Sequence, residues 1–201
     1  MAKVLYKPER EKTALVVIDA QNINFAPGAI AERGQSPSRE ELVPVINKLI
    51  SFFREKKMPI FWVITYITPE TCLAFARYFP ILGPPEYYLS EDSEAAKIWK
   101  EFSPQLEDVT IIKHHMSAFF ETDLDTKLRN LGIEYPCLVG INTDECVEGT
   151  VRNACERLYK SIIISDAVST HNGEEAQKIA LQRLKSFSRV MPSDDLMAEL
   201  S

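Results

Sequence analysis

The chain has 201 residues, a length that accommodates one domain or at most two small ones. Hydrophobic residues make up 45% and charged residues 26%, the composition of an ordinary soluble globular protein. The formal net charge of −6, with Lys and Arg scattered among acids as in REKK and REEL, argues against a nucleic-acid partner, because phosphate binding needs clustered cations. The opening MAKVLYKPEREK lacks the continuous apolar core of a secretory signal, and no segment is long enough to cross a bilayer, so a cytoplasmic protein without a membrane partner is expected. Cys72, Cys137, Cys146 and Cys155 form no CxxC pair, which leaves neither a disulfide framework nor a zinc knuckle to expect.

In chain order, TALVVIDA (13–20) is the first predicted strand. REELVPVINKLISFFREKK follows with Leu42, Val45, Ile46, Leu49, Ile50 and Phe53 on one helical stripe, and Pro44 in its first turns. PIFWVITY (59–66) is a second strand. From Pro69 to Pro104 the rhythm breaks into an excursion rich in aromatics, the kind of segment that serves as a lid, a subunit contact or a plain surface insertion. DVTIIKHH (108–115) and YPCLVGI (135–141) are the third and fourth strands. DECVEGTVRNACERLY carries a helical stripe of Val147, Val151, Ala154 and Leu158. KSIIISDA (160–167), a helix over GEEAQKIALQRLKSF with Ala176, Ile179, Ala180 and Leu184, and a weaker strand SRVMPS (188–193) complete the pattern. The first five strands are Val/Ile-rich and apolar on both alternating faces, which suits a sheet covered on both sides. Alternation of strand and helix predicts a single α/β domain over 1–201: three α/β/α layers around a doubly wound, mostly parallel six-stranded sheet of Rossmann-like type, interrupted at about 69–104.

Ligands of open parallel sheets bind beyond the carboxyl ends of the strands. Those ends present Asp19, Tyr66, Lys113, Cys146 and Thr170–His171 in turn. Taken singly, Asp19 fits a turn carboxylate, Lys113 a snorkelling strand-end lysine and Cys146 a small packed residue. Together they set an acid, an ammonium and a thiol at one edge. Thr143 or Asp144 fits a helix N-cap, which puts Cys146 in a first turn whose free N–H groups lower a thiol's pKa. A neighbouring Lys113 would lower it further, and Asp19 could take the proton. The acids Asp144, Glu145 and Glu148 oppose this unless they face away.

VVIDAQN, IIKHHMSAFFETDLDTKLRNLGI and VGINTDECVEGTVRNA, in this order and spacing, resemble the isochorismatase-like cysteine hydrolases, from about Thr13 to the end. The superfamily includes nicotinamidases and N-carbamoylsarcosine, ureidoacrylate and biuret amidohydrolases, and the third strand's surroundings are most similar to the ureido and carbamoyl branch. The resemblance implies Asp19 as general base, Lys113 as charge partner and Cys146 as nucleophile. It implies a cis peptide at Ile141–Asn142 that aims the Asn142 N–H, with that of Cys146, at an oxyanion. Gln21, Phe25, Tyr66, Met116, Thr143 and His171 fall at positions near the substrate.

Departures narrow the reading. DAQNINF has one residue more before Phe25 than the family's Asp-x-Gln-Asn-Asp-Phe. Nicotinamidases hold a metal through an Asp-x-His and a further His after the second strand, where this chain has TYITPETC. His114 and His115, on opposite faces of a strand, make a poor chelate, so neither metal nor organic cofactor is expected. A cysteine at 146 speaks against isochorismatase proper, whose vinyl ether needs an acid more than a nucleophile. The expected function is cysteine-dependent cleavage of a C–N bond in a small amide or carbamoyl or ureido compound through a thioester-type intermediate. An isochorismatase-type or nicotinamidase-type hydrolase and a non-catalytic binding protein stay open. A homo-oligomer, dimer or tetramer, is expected because such relatives assemble and the 69–104 segment is aromatic-rich.

Overall fold

In the computed structural model, which describes residues 6–27, 34–68, 71 and 89–201, the six predicted strands pair into one sheet. They are β1 (Thr13–Ile18), β2 (Ile60–Thr65), β3 (Val109–Lys113), β4 (Tyr135–Ile141), β5 (Ile162–Ser169) and β6 (Arg189–Met191). Their spatial order is β3-β2-β1-β4-β5-β6, with every neighbouring pair parallel, where the sequence predicted only a mostly parallel sheet. The chain winds outward from β1 through β2 and β3, then returns to set β4 on the other flank of β1. Winding therefore reverses between β1 and β4, and the crevice beyond their carboxyl ends is where such sheets bind ligands.

All six residues of β1 are buried, and their alternation assigns the two outer layers. Leu15 and Val17 pack into a core with helices α1 (Arg39–Glu55) and α5 (Ser193–Leu200). Ala14, Val16 and Ile18 pack into a second core with α2 (Leu124–Asn130), α3 (Glu148–Glu156) and α4 (Gly173–Leu184). Among the described residues no helix is long and apolar enough to cross a membrane.

The helices follow the predicted stripes with three corrections. In α1 the buried set is Leu42, Val43, Ile46, Leu49, Ile50 and Phe53, with Val45 only packed at its margin. The helix starts on a capping box between Ser38 and Glu41 and continues through Pro44. α3 stops at Glu156, and Leu158, at φ +65°, swings out to 89% exposure. α4 is rotated so that Gln177 lies inside and donates to the Val168 carbonyl at 2.8 Å, which leaves Ile179 half-exposed. β5 begins two residues later than predicted and carries a register shift opposite β4. There Asp166 accepts from the Ser193 N–H at 2.8 Å and the Ser193 hydroxyl at 2.7 Å, and so caps α5.

Of the predicted excursion, residues 69–70 and 72–88 lie outside the described residues. Its last part is laid against the end of β1. Leu89 bridges to Ile67, Ile98 bridges to Gln21, and the Trp99 N–H reaches the Ala20 carbonyl at 2.8 Å. Phe102 is fully buried against Trp62 and Phe25.

Candidate active site

β1 ends at Ile18, and the next residue, Asp19, turns into the left-handed region at φ +54° while its N–H still bonds the Val63 carbonyl. Aspartate tolerates that conformation better than most residues do. The turn leaves Asp19 5% exposed at the sheet edge. Lys113, the last residue of β3, is 1% exposed, and its Nζ lies 3.0 Å from Asp19 Oδ2 and 3.4 Å from Cys146 Sγ. The three residues predicted from separate strand ends thus meet.

A fourth residue, which the sequence reading passed over, joins them. Thr65, paired with Lys113 in the β2–β3 register, accepts from Lys113 Nζ at 2.6 Å. An ammonium only donates, so the single Thr65 hydroxyl hydrogen is free for Asp19 Oδ1, 2.7 Å away. Gln21, fully buried, fixes this link. Its Oε1 accepts from the Thr65 N–H at 2.8 Å, while its Nε2 donates to the Thr65 carbonyl at 2.9 Å and the Ala96 carbonyl at 2.7 Å. Gln21 therefore orients Asp19 through Thr65. The signal that could have identified Thr65 is register: a hydroxyl residue closing β2 level with the lysine closing β3.

Cys146 is placed by the exit from β4. Gly140 has φ +112°, and a Cβ there would fall 2.0 Å from the Ile18 carbonyl oxygen, so only glycine lets β4 approach β1 this closely. The Ile141–Asn142 peptide is cis, as the resemblance implied. The chain then enters a π turn over Thr143–Val147 rather than an ordinary first helical turn, with the Val147 N–H bonded to the Asn142 carbonyl at 3.0 Å. Thr150 ties the turn down: its hydroxyl donates to the Cys146 carbonyl at 2.7 Å and accepts from the Ala118 N–H at 3.0 Å. Neither predicted N-cap serves as one. Thr143 is buried, its hydroxyl without a partner among the described residues, and Asp144 accepts from the Thr170 hydroxyl at 2.6 Å and Asn172 Nδ2 at 2.8 Å. No acceptor for the Asn142 N–H is found among the described residues.

The electrostatics correct one expectation. Burial pushes the Cys146 thiol up to about 12; the Lys113 ammonium pulls the other way, and the nearby Asp19 carboxylate raises it further. The thiol is therefore raised, favouring its neutral form, where helix position and Lys113 led to the expectation of a lowered value. Burial alone would lower the Lys113 value, but the Asp19 and Cys146 groups beside it hold it above the ordinary lysine range. The neighbouring acids are engaged elsewhere: Asp144 as above, Glu145 by Asn142 Nδ2 at 2.8 Å, and Glu148 by Arg152 and Arg183.

These groups floor a cavity of about 280 Å³, at the small end for ligand pockets. An isochorismatase domain matches residues 13–195. The chain belongs to the isochorismatase family of hydrolases. It is 36% identical over 171 residues to the isochorismatase family protein YwoC of Bacillus subtilis, covering 82% of each chain. A solved isochorismatase family protein from Burkholderia thailandensis superposes with a TM-score of 0.82 at 32% identity, over 97% of this chain and 99% of that one. N-carbamoylsarcosine amidase from Thermoplasma acidophilum superposes with a TM-score of 0.74 at 28% identity, over 91% and 97%.

Within this family frame, Asp19, Lys113, Cys146, Asn142, Gln21, Met116 and His171 line the cavity. Three predicted pocket residues do not. Phe25 ends a short helical turn, Asn22–Phe25, that rotates it into the core, edge-on to Phe102 at 5.1 Å. Tyr66 is held through its backbone: its carbonyl accepts from His114 Nδ1 at 2.9 Å and its N–H donates to the Lys113 carbonyl at 3.0 Å. Thr143 is turned inward by the π turn. Since β3 stops at Lys113, His114 and His115 are not on opposite strand faces, and both line the cavity. Ile23, Asn24, Ile67, Leu89 and Glu145 are among the wall residues that the sequence reading did not assign.

Proposed function

We propose that the protein hydrolyses the C–N bond of a small amide or a carbamoyl or ureido compound, with Cys146 as nucleophile. The observation that carries this reading is the buried cluster in which one ammonium, Lys113, touches both the Asp19 carboxylate and the Cys146 sulfur at the floor of a small cavity. Attack by Sγ on the carbonyl carbon passes the thiol proton to Asp19, so a thiol that titrates near 12 need never stand as a free thiolate. The oxyanion accepts from the N–H groups of Asn142 and Cys146. Protonated Asp19 then gives its proton to the leaving nitrogen as the C–N bond breaks, leaving a thioester or thiocarbamate on Cys146. Water gives a proton back to Asp19 as it attacks that carbon, and the sulfur leaves and regains the proton. Lys113 keeps its proton throughout. The likeness to N-carbamoylsarcosine amidase supports a carbamoyl C–N bond as the one cleaved.

A second reading has one observation in its favour. Because the resting group is a thiol, hydrolysis could run through Asp19 and Lys113 with Cys146 as a bystander. Ammonia release across nicotinamide, biuret, simple amides, ureas and N-carbamoyl amino acids, with wild type and Cys146→Ala, separates the two. Cysteine-dependent hydrolysis predicts turnover that Cys146→Ala abolishes. Full turnover by that variant sinks the nucleophile.

A further inference from the structure

We propose that the cavity selects uncharged small amides and ureas with an apolar substituent, and rejects counterparts that carry a carboxylate. The inference deepens the amidase reading and rests on it for the chemistry, but it is drawn from the cavity walls. Ile23, Ile67, Leu89 and Met116 give those walls an aliphatic character. Among the described lining residues Lys113 is the sole Lys or Arg, and its hydrogens are directed at Asp19, Thr65 and the His115 carbonyl, with the Cys146 sulfur alongside. It is a partner for the floor of the site, not for a substrate anion.

Two polar groups of the wall want donors. Asn142 donates its Nδ2 to Glu145 Oε2, so the amide orientation is settled chemically, and its Oδ1 is buried without a donor among the described residues. The Glu145 carboxylate stands exposed at the rim of the same cavity. An acceptor and a carboxylate suit the N–H groups of a carboxamide or urea. A substrate carboxylate would meet the same groups as lone pair against lone pair and charge against like charge, with aliphatic side chains around it. The histidine rings are already directed within the protein or disfavoured as cations: His114 donates Nδ1 to the Tyr66 carbonyl, any charge on His115 faces the Glu121 carboxylate at 3.3 Å, and burial holds His171 below its ordinary value despite Asp144 and Glu145 nearby.

Two matched pairs test this: isobutylurea against N-carbamoylglycine, and isocaproamide against succinamate, each exchanging an isopropyl group for a carboxylate. Binding is measured by calorimetry on Cys146→Ser, and kcat/KM on wild type. The neutral member is expected to win by at least about tenfold in both, and Glu145→Gln to narrow the kcat/KM ratio about threefold or more. Equal or tighter binding of the anionic members, or no binding of either pair, overturns the inference. Preferential neutral binding without turnover upholds the selection and overturns the amidase reading. Turnover that favours the anions does the reverse.

Discussion

Replacing Asp19 with Asn is expected to make Cys146 more acidic and the enzyme inactive at the same time. The backbone is no obstacle, because Asn occupies the left-handed region at φ +54° as readily as Asp. Lys113 is 1% exposed, and removing the partner of a buried charge costs about 3–5 kcal/mol. In the variant the group able to supply a negative charge is the Cys146 sulfur, 3.4 Å from Nζ. At that distance and an effective dielectric of about 20, a thiolate and an ammonium attract by about 5 kcal/mol, an upper bound of about 3–4 pH units. The Asp19 charge, which raises the wild-type thiol, vanishes as well. The titration of Cys146 should thus fall by more than about one unit, while loss of the proton acceptor lowers kcat/KM about 10²–10⁴-fold. Thiolate ultraviolet absorbance against pH, with Cys146→Ala as the blank, measures the first, and ammonia release the second. A variant that still titrates near 12, or that keeps activity within about tenfold of wild type, refutes the account of the cluster.

Thr65→Val removes the hydroxyl bridge at nearly constant shape; kcat should drop about tenfold or more with a stability loss of about 1–3 kcal/mol in urea unfolding, and Thr65→Ser should restore both. Gly140→Ala drives a Cβ to 2.0 Å from the Ile18 carbonyl oxygen, so a loss of more than about 3 kcal/mol, seen as a collapse of the melting temperature, is expected. Leu158→Lys should change stability by less than about 0.5 kcal/mol, because the side chain is already in solvent. His171 has its folded value held below 6.5 by burial, so the unfolded chain takes up the proton first as pH falls. Its contribution to stability is present above about pH 6.5 and is lost as pH drops through the folded value, and urea unfolding of His171→Gln should show a shallower decline over that window.

Strands and layers were legible because the physics that sets them is local: two-sided burial writes Val/Ile runs into β1, β2 and β4, and strand ends could be named to within two residues. The meeting of Asp19, Lys113 and Cys146 was expected because parallel strands bring their carboxyl ends to one edge, and because the three motifs resemble those of the family. What stayed hidden depends on the third dimension. Thr65 is identified only once β2 and β3 are in register. Phe25 and Ile179 looked like wall and core by type, but a short helical turn and a rotation of α4, set by a Gln177 bond to β5, sent one inward and the other out. The Cys146 titration was misjudged for a related reason. Sequence reveals the charges near a thiol in the chain but not the desolvation, which here outweighs the ammonium.

That last correction sharpens the proposed chemistry. A thiolate held ready by a positive turn would leave the cluster with two anions around one cation whenever Asp19 is ionised. The cluster instead pairs the Asp19 carboxylate with the Lys113 ammonium, and burial favours the neutral thiol form of Cys146 beside them. Passing the proton from Cys146 to Asp19 only exchanges which side carries the negative charge, and Lys113 touches both, so the net charge of the buried site is the same before and after. Full desolvation of a new charge, the largest cost of activating a half-buried thiol, is avoided. Burial therefore does not argue against nucleophilic Cys146; it ties formation of the nucleophile to the presence of an electrophile close enough to take the electron pair as the proton leaves.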